Sequence, residues 1–110
     1  MNSLIRNPMA NICTNMLYLS TKDRQLRDTL TNAIQQSFHC IDKQFIDSNV
    51  FECEIEFDSR WTFPHKEMEA LTKQLPKEND LYIRVLSHEF GCEYVGFNIY
   101  ASGEWCDKLA

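Results

Sequence analysis

Glycine and proline are scarce, with three of each in 110 residues. That leaves little material for long linkers or disordered stretches. Gly91, Gly96 and Gly103 are too dispersed to form a phosphate-cradling loop. No apolar run approaches the roughly 20 residues needed to span a bilayer. The opening MNSLIRNPMA holds one Arg but no apolar core, unlike a secretory signal. The five cysteines, Cys13, Cys40, Cys53, Cys92 and Cys106, include no C-x-x-C pair. The one adjacent His–Cys pair, His39-Cys40, would point about 100° apart on a helix. The expectation is a cytoplasmic protein with reduced cysteines in its core, and no metal or cofactor. Basic clusters are also missing. Lys and Arg total 11 against 16 Asp and Glu, the net charge is −5, and no two basic residues are adjacent. Phosphate backbones are held by clustered cations, so direct nucleic-acid or anionic-membrane binding is disfavoured.

What is present fits one α+β domain. Ile12 to Leu19 reads as a first strand with apolar side chains on both parities. Ser20-Thr21-Lys22-Asp23 stops it and caps a helix. Leu26, Leu30, Ala33, Ile34 and Phe38 then recur at helical spacing. His39 to Asn49 reads as a loop or short turn, with Phe45 and Ile46 tucked onto the core. FECEIEFDSRW, Phe51 to Trp61, alternates apolar and acidic residues as a second strand should. Pro64 sits at the first position of a helix carrying Met68, Leu71 and Leu75 and ending by Pro76. Leu81 to His88 and Glu93 to Ala101 form a hairpin around Gly91. Glu104-Trp105-Cys106 is a short tail. The order β-α-β-α-β-β gives a two-layer sandwich, with both helices on one face of a four-stranded, mainly antiparallel sheet.

Three landmarks carry a family resemblance: Met9-Ala10-Asn11-Ile12-Cys13-Thr14-Asn15, Ser59-Arg60-Trp61-Thr62-Phe63-Pro64, and Gly91 to Gly96. Together they resemble the YubB-type family of small proteins carried on bacterial plasmids and phages. The resemblance implies a ferredoxin-like fold without an iron–sulfur cluster, on a mobile genetic element, and brings no established activity. It also implies that residues 1–8 extend a domain spanning 9–110.

The acidic row raises the functional question. Alternate side chains on a strand stand roughly 6.6–6.8 Å apart. Glu52, Glu54, Glu56 and Asp58 therefore form a ladder of negative charge on one sheet face. It is either the solvated face opposite the helices, with Arg84, His88 or Lys as cross-strand relief, or a docking face for a basic protein. On a mobile element the second reading includes mimicry of DNA toward a host nucleic-acid-binding factor. A flat row lacks the enclosed, asymmetric surroundings that separate a catalytic acid from a base. Tyr82, Tyr94 and Tyr100 fall on the parity opposite the apolar positions and share that face, and Trp61 closes the strand beside Arg60.

The resulting expectation is a non-enzymatic protein-binding domain with no catalytic residue. Its interface is Glu52, Glu54, Glu56, Asp58, Trp61, Arg84, Tyr94 and Tyr100. One alternative is a homodimer through the sheet face. Another is a small cysteine-dependent enzyme or ligand-binding domain using Cys92, His88 and Glu93.

Overall fold

Among the described residues, six strands and two α-helices follow one another along the chain. They are β1 (Ile12–Ser20), α1 (Arg24–Ser37), β2 (His39–Gln44), β3 (Glu52–Arg60), α2 (His65–Lys73), β4 (Tyr82–Glu89), β5 (Tyr94–Ala101) and β6 (Glu104–Asp107). The computed structural model describes residues 12–44, 51–76 and 78–109, without the side chains of 39–44. The expectations for residues 1–8, the domain start at Met9, and Phe45 and Ile46 lie outside the described residues.

Local chemistry sets the helix boundaries. The Asp23 carboxylate accepts the Leu26 N–H at 3.1 Å, capping α1 as the sequence requires. Pro64 is the cap residue of α2 rather than its first turn, and Glu67 and Lys73 match the helix dipole at either end. One tertiary tie fixes where α1 begins relative to β4. Asp80 accepts the Thr21 hydroxyl at 2.5 Å and the Lys22 N–H at 2.8 Å, which holds its carboxyl below the ordinary range.

The strands join as β2-β3-β1-β4-β5-β6, and every neighbouring pair is antiparallel. The sheet has six strands where the sequence indicates four. His39–Gln44 pairs with β3 through a register shift between Cys40 and Asp42. A short, polar, irregular edge strand carries no period-2 apolar signal, so it reads as loop. β6 follows a two-residue turn in which Ser102 and Gly103 adopt φ 54° and 79°. Two positive-φ residues between paired strands form the tight turn whose twist suits a hairpin, so Ser-Gly continues the sheet here instead of ending it.

The core lies on one side of the sheet. Leu17 and Leu19, Cys53, Ile55 and Phe57, and Ile83 and Val85 are all buried there, at alternating strand positions. They form one cluster with Leu30 and Ile34 of α1, Met68 of α2, Phe63 and Tyr100. Both helices therefore cover the same face, giving a two-layer α+β architecture. No described helix is long and apolar enough to cross a membrane.

β5 departs from the expectation in the direction its side chains point. Antiparallel pairing sets Tyr100 opposite Ile83, Asn98 opposite Val85 and Tyr94 opposite Glu89, so these residues share the helix-covered side. Val95, Phe97 and Ile99 are on the other face. Apolar parity alone would put those three in the core, but the register to β4 overrides it.

Candidate interaction face of the sheet

The face away from the helices is organised by register into rows that cross β3, β1, β4 and β5. One row reads Glu56, Met16, Leu86, Phe97, and the next Glu54, Tyr18, Arg84, Ile99. A third reads Asp58, Thr14, His88, Val95. The face thus changes character across its width, from carboxylates on β3 to aliphatic and aromatic side chains on β4 and β5. Met16, Leu86 and Val95 remain 49%, 42% and 53% exposed, and Phe97 and Ile99 are half-buried. Contiguous exposed apolar surface rimmed by charge is characteristic of an interaction site. A shallow hollow of about 360 Å³ sits across the boundary, lined by Met16, Tyr18, Glu54, Glu56, Leu86 and Phe97 among others.

Glu54 and Glu56, at the middle of the acidic row, lack the expected relief. β1 stands between β3 and β4, so Arg84 lies two strands from the carboxylates, roughly 9.5–10 Å across the sheet. Its guanidinium rests instead over the Tyr18 ring, 4.2 Å from the centroid, and 5.9 Å from that of Tyr82. Tyr18 donates its hydroxyl to Glu52, and that bond to a carboxylate raises the phenol's pKa. Glu54 faces Gln44 and Tyr18 across the ladder, and Glu56 faces Asp42 and Met16. Neither stands opposite a Lys or Arg.

Of the sequence-derived interface, Glu52, Glu54, Glu56, Asp58 and Arg84 share this face. Tyr94 and Tyr100 do not. Tyr100 is buried against Trp105, with ring centroids 5.4 Å apart, and the Trp105 indole donates to Thr72 of α2 at 3.0 Å. Tyr94 lies across Gly96, where any Cβ would collide with its hydroxyl, and that oxygen accepts the Phe63 N–H at 3.3 Å. Both tyrosines secure the helix layer. The residues that replace them, Val95, Phe97 and Ile99 with Met16 and Leu86, are missing from the sequence-derived set. The apolar character of both parities of Ile12 to Leu19 is a signal for Met16 alone; the others follow from the register.

Trp61 stands at the rim, 49% exposed, in an unusual backbone. Its φ is 69°, and the Thr62 N–H donates to the Arg60 carbonyl at 2.7 Å, closing a tight three-residue turn. For a bulky side chain this conformation is strained and needs outside support. A chain of hydrogen bonds that starts in the buried Ser87–Asn15 pair and runs out to the surface supplies it. Ser87 donates to the Asn15 side-chain oxygen at 2.7 Å, and the Asn15 amide donates to Ser59 Oγ at 2.9 Å. Ser59 in turn donates to the Thr62 carbonyl at 2.7 Å. Ser59 Oγ receives one bond and gives one, so β4, β1 and β3 are tied to the turn that carries Trp61.

The cysteine alternative meets opposing chemistry. Cys92 is exposed in a short 3₁₀ turn, Phe90–Cys92, whose N–H groups are held by Glu89. The Glu89 carboxylate accepts from Cys92 N at 2.6 Å and Gly91 N at 3.1 Å. Its bond with the thiol pushes the Cys92 pKa up, the reverse of nucleophile activation. His88 stacks on Phe90 with centroids 4.5 Å apart. Glu93 is an exposed positive-φ residue that closes the turn. Cys13 and Cys53 are buried as expected, whereas Cys92 and Cys106 are on the surface. Among the described residues no three His, Cys, Asp or Glu side chains converge as a metal site.

Comparison with protein-family models, with curated proteins and with solved structures finds no match to this chain, so the face is read from its own chemistry.

Proposed function

We propose that this chain is a non-enzymatic protein-binding domain that docks a partner on its open sheet face. One observation carries the reading. Met16 and Leu86 lie exposed and opposite each other, Phe97 follows in the same row and exposed Val95 stands in the row beside it; the set is bordered on one side by Glu54 and Glu56. Isolated surface hydrophobes need no explanation, but a continuous set beside a one-signed charge row has the composition of an interface.

The scaffold we infer is a ferredoxin-like core. In its support, the chain from β1 to β4 runs β-α-β-β-α-β, with β3 between β1 and β2 and β1 between β3 and β4. These are two interleaved β-α-β units, to which β5 and β6 add an edge. The addition extends the open face and adds Val95, Phe97 and Ile99 to its apolar half. Mimicry of DNA accounts less well for the same surface, because the carboxylates border an apolar floor that a phosphate backbone does not have. Docking on both halves uses the carboxylates and the apolar floor together.

Affinity capture from source cells tests the proposal. Wild-type protein and a folded Met16→Glu/Leu86→Glu double variant are compared, with Gln36→Glu on α1 as control. The proposal requires a bound protein that the control retains and the double variant loses. Equal capture by all three would sink it.

A further inference from the structure

If the open face docks a protein, its two halves specify the partner's chemistry. We infer that the occupant is a basic amphipathic segment of a different protein, with Lys or Arg side chains against Glu54 and Glu56 and apolar side chains on the Met16–Leu86–Phe97 floor. This rests on the reading above and goes beyond it by fixing the occupant.

Geometry supplies the first reason. Glu54 and Glu56 line the same hollow, of about 360 Å³, as Met16, Leu86 and Phe97. That is the low end of the range for ligand pockets and suits a few side chains more than a small molecule. A segment entering it meets carboxylates along one wall and apolar atoms along the floor. A wholly apolar segment would leave the acids facing it without counter-charge, and an acidic one would be repelled.

Charge already present in the hollow supplies the second reason. Its single cation among the described residues, Arg84, lies over Tyr18 and makes no ion pair with either carboxylate. Neither Glu54 nor Glu56 has a basic residue opposite it in the ladder. Glu54 and Glu56 thus stand ready to meet an incoming cation, and Arg84 marks where the acidic half stops.

A second copy of this chain fits poorly. It would bring the same carboxylates of β3, and Glu104 at the far edge, against at most Arg84 and Arg60 from the described strands of this face. Like charges meeting across an interface cost affinity and select against self-docking. Anionic polymers are repelled by the same row.

The test is an amide chemical-shift titration of isotope-labelled full-length protein with three capped hexapeptides. One alternates Lys and Leu, and the others carry Ser or Glu in place of Lys. The expected result is saturable shifts at Met16, Tyr18, Glu54, Glu56, Leu86 and Phe97 with the Lys/Leu peptide alone. Glu54→Gln/Glu56→Gln protein should bind it about five- to tenfold more weakly, the scale of two exposed charge pairs. If the Ser or Glu peptide binds as tightly, or the double variant binds unchanged, the basic partner is wrong while the docking face stands. Shifts at those amides on concentrating the protein alone would make a second copy the occupant and overturn the inference. No saturable shift with any peptide, or shifts confined to the helix layer, would overturn both.

Discussion

Val85 and Leu86 are consecutive apolar residues on one strand with opposite surroundings. Val85 is wholly buried under the helices, whereas Leu86 is 42% exposed on the bare face. The same contrast extends to polar groups. On the helix side Asn15, Ser87 and Glu89 are buried, and each is hydrogen-bonded within the chain. On the open side Glu54 and Glu56 line a hollow with no cation opposite them. One face has its polar and apolar groups satisfied internally. The other presents both kinds outward, the arrangement of a surface that is completed by something else.

Mutations on the two faces should therefore differ in kind. Ile83→Ala on the helix side should lower unfolding free energy by about 2–5 kcal/mol in a denaturant titration. Leu86→Ala, three residues along the same strand on the open face, should cost no more than about 1 kcal/mol. Comparable costs would dissolve the contrast. Asn15→Leu should destabilise by about 2–3 kcal/mol, because Ser87 and Ser59 lose their shared partner in a buried site. A near-neutral result would mean that the chain to Trp61 adds nothing.

Acid separates the faces further. Hydrogen bonding, from the Cys92 thiol above all, holds the Glu89 carboxyl below its ordinary value. A group with a depressed folded pKa stabilises above its unfolded value and loses that contribution as pH falls through the folded one. Glu89→Gln should thus be less stable than wild type near pH 7, with the gap closing below about pH 4.3. A gap that stays constant through that range would contradict the assignment. The smallest effect concerns Cys92. Removing the Glu89 charge should raise its alkylation rate a few-fold at neutral pH by mass spectrometry, with Cys13 and Cys53 protected throughout.

How far the fold could be read follows from which signals are local. α1 was legible because one apolar stripe and the Asp23 cap agree, and β3 because Cys53, Ile55 and Phe57 alternate with acids over its length. β2 was not, since a short edge strand is defined by its partner and carries no pattern of its own. The face of β5 was misread for a related reason. Val95, Phe97 and Ile99 look like core residues, and only the pairing with β4 shows that Tyr100 takes that role. The acidic half of the interaction face was therefore visible in the sequence, while its apolar half required the register.

Site-specific photo-crosslinking tests the central contrast most directly. A photoreactive residue replaces Leu86 on the open face or Gln36 on α1, in otherwise unaltered protein irradiated in its source cells. The account predicts a covalent adduct with another polypeptide from position 86 and none from position 36. Adducts from position 36 alone, or from neither, would contradict it.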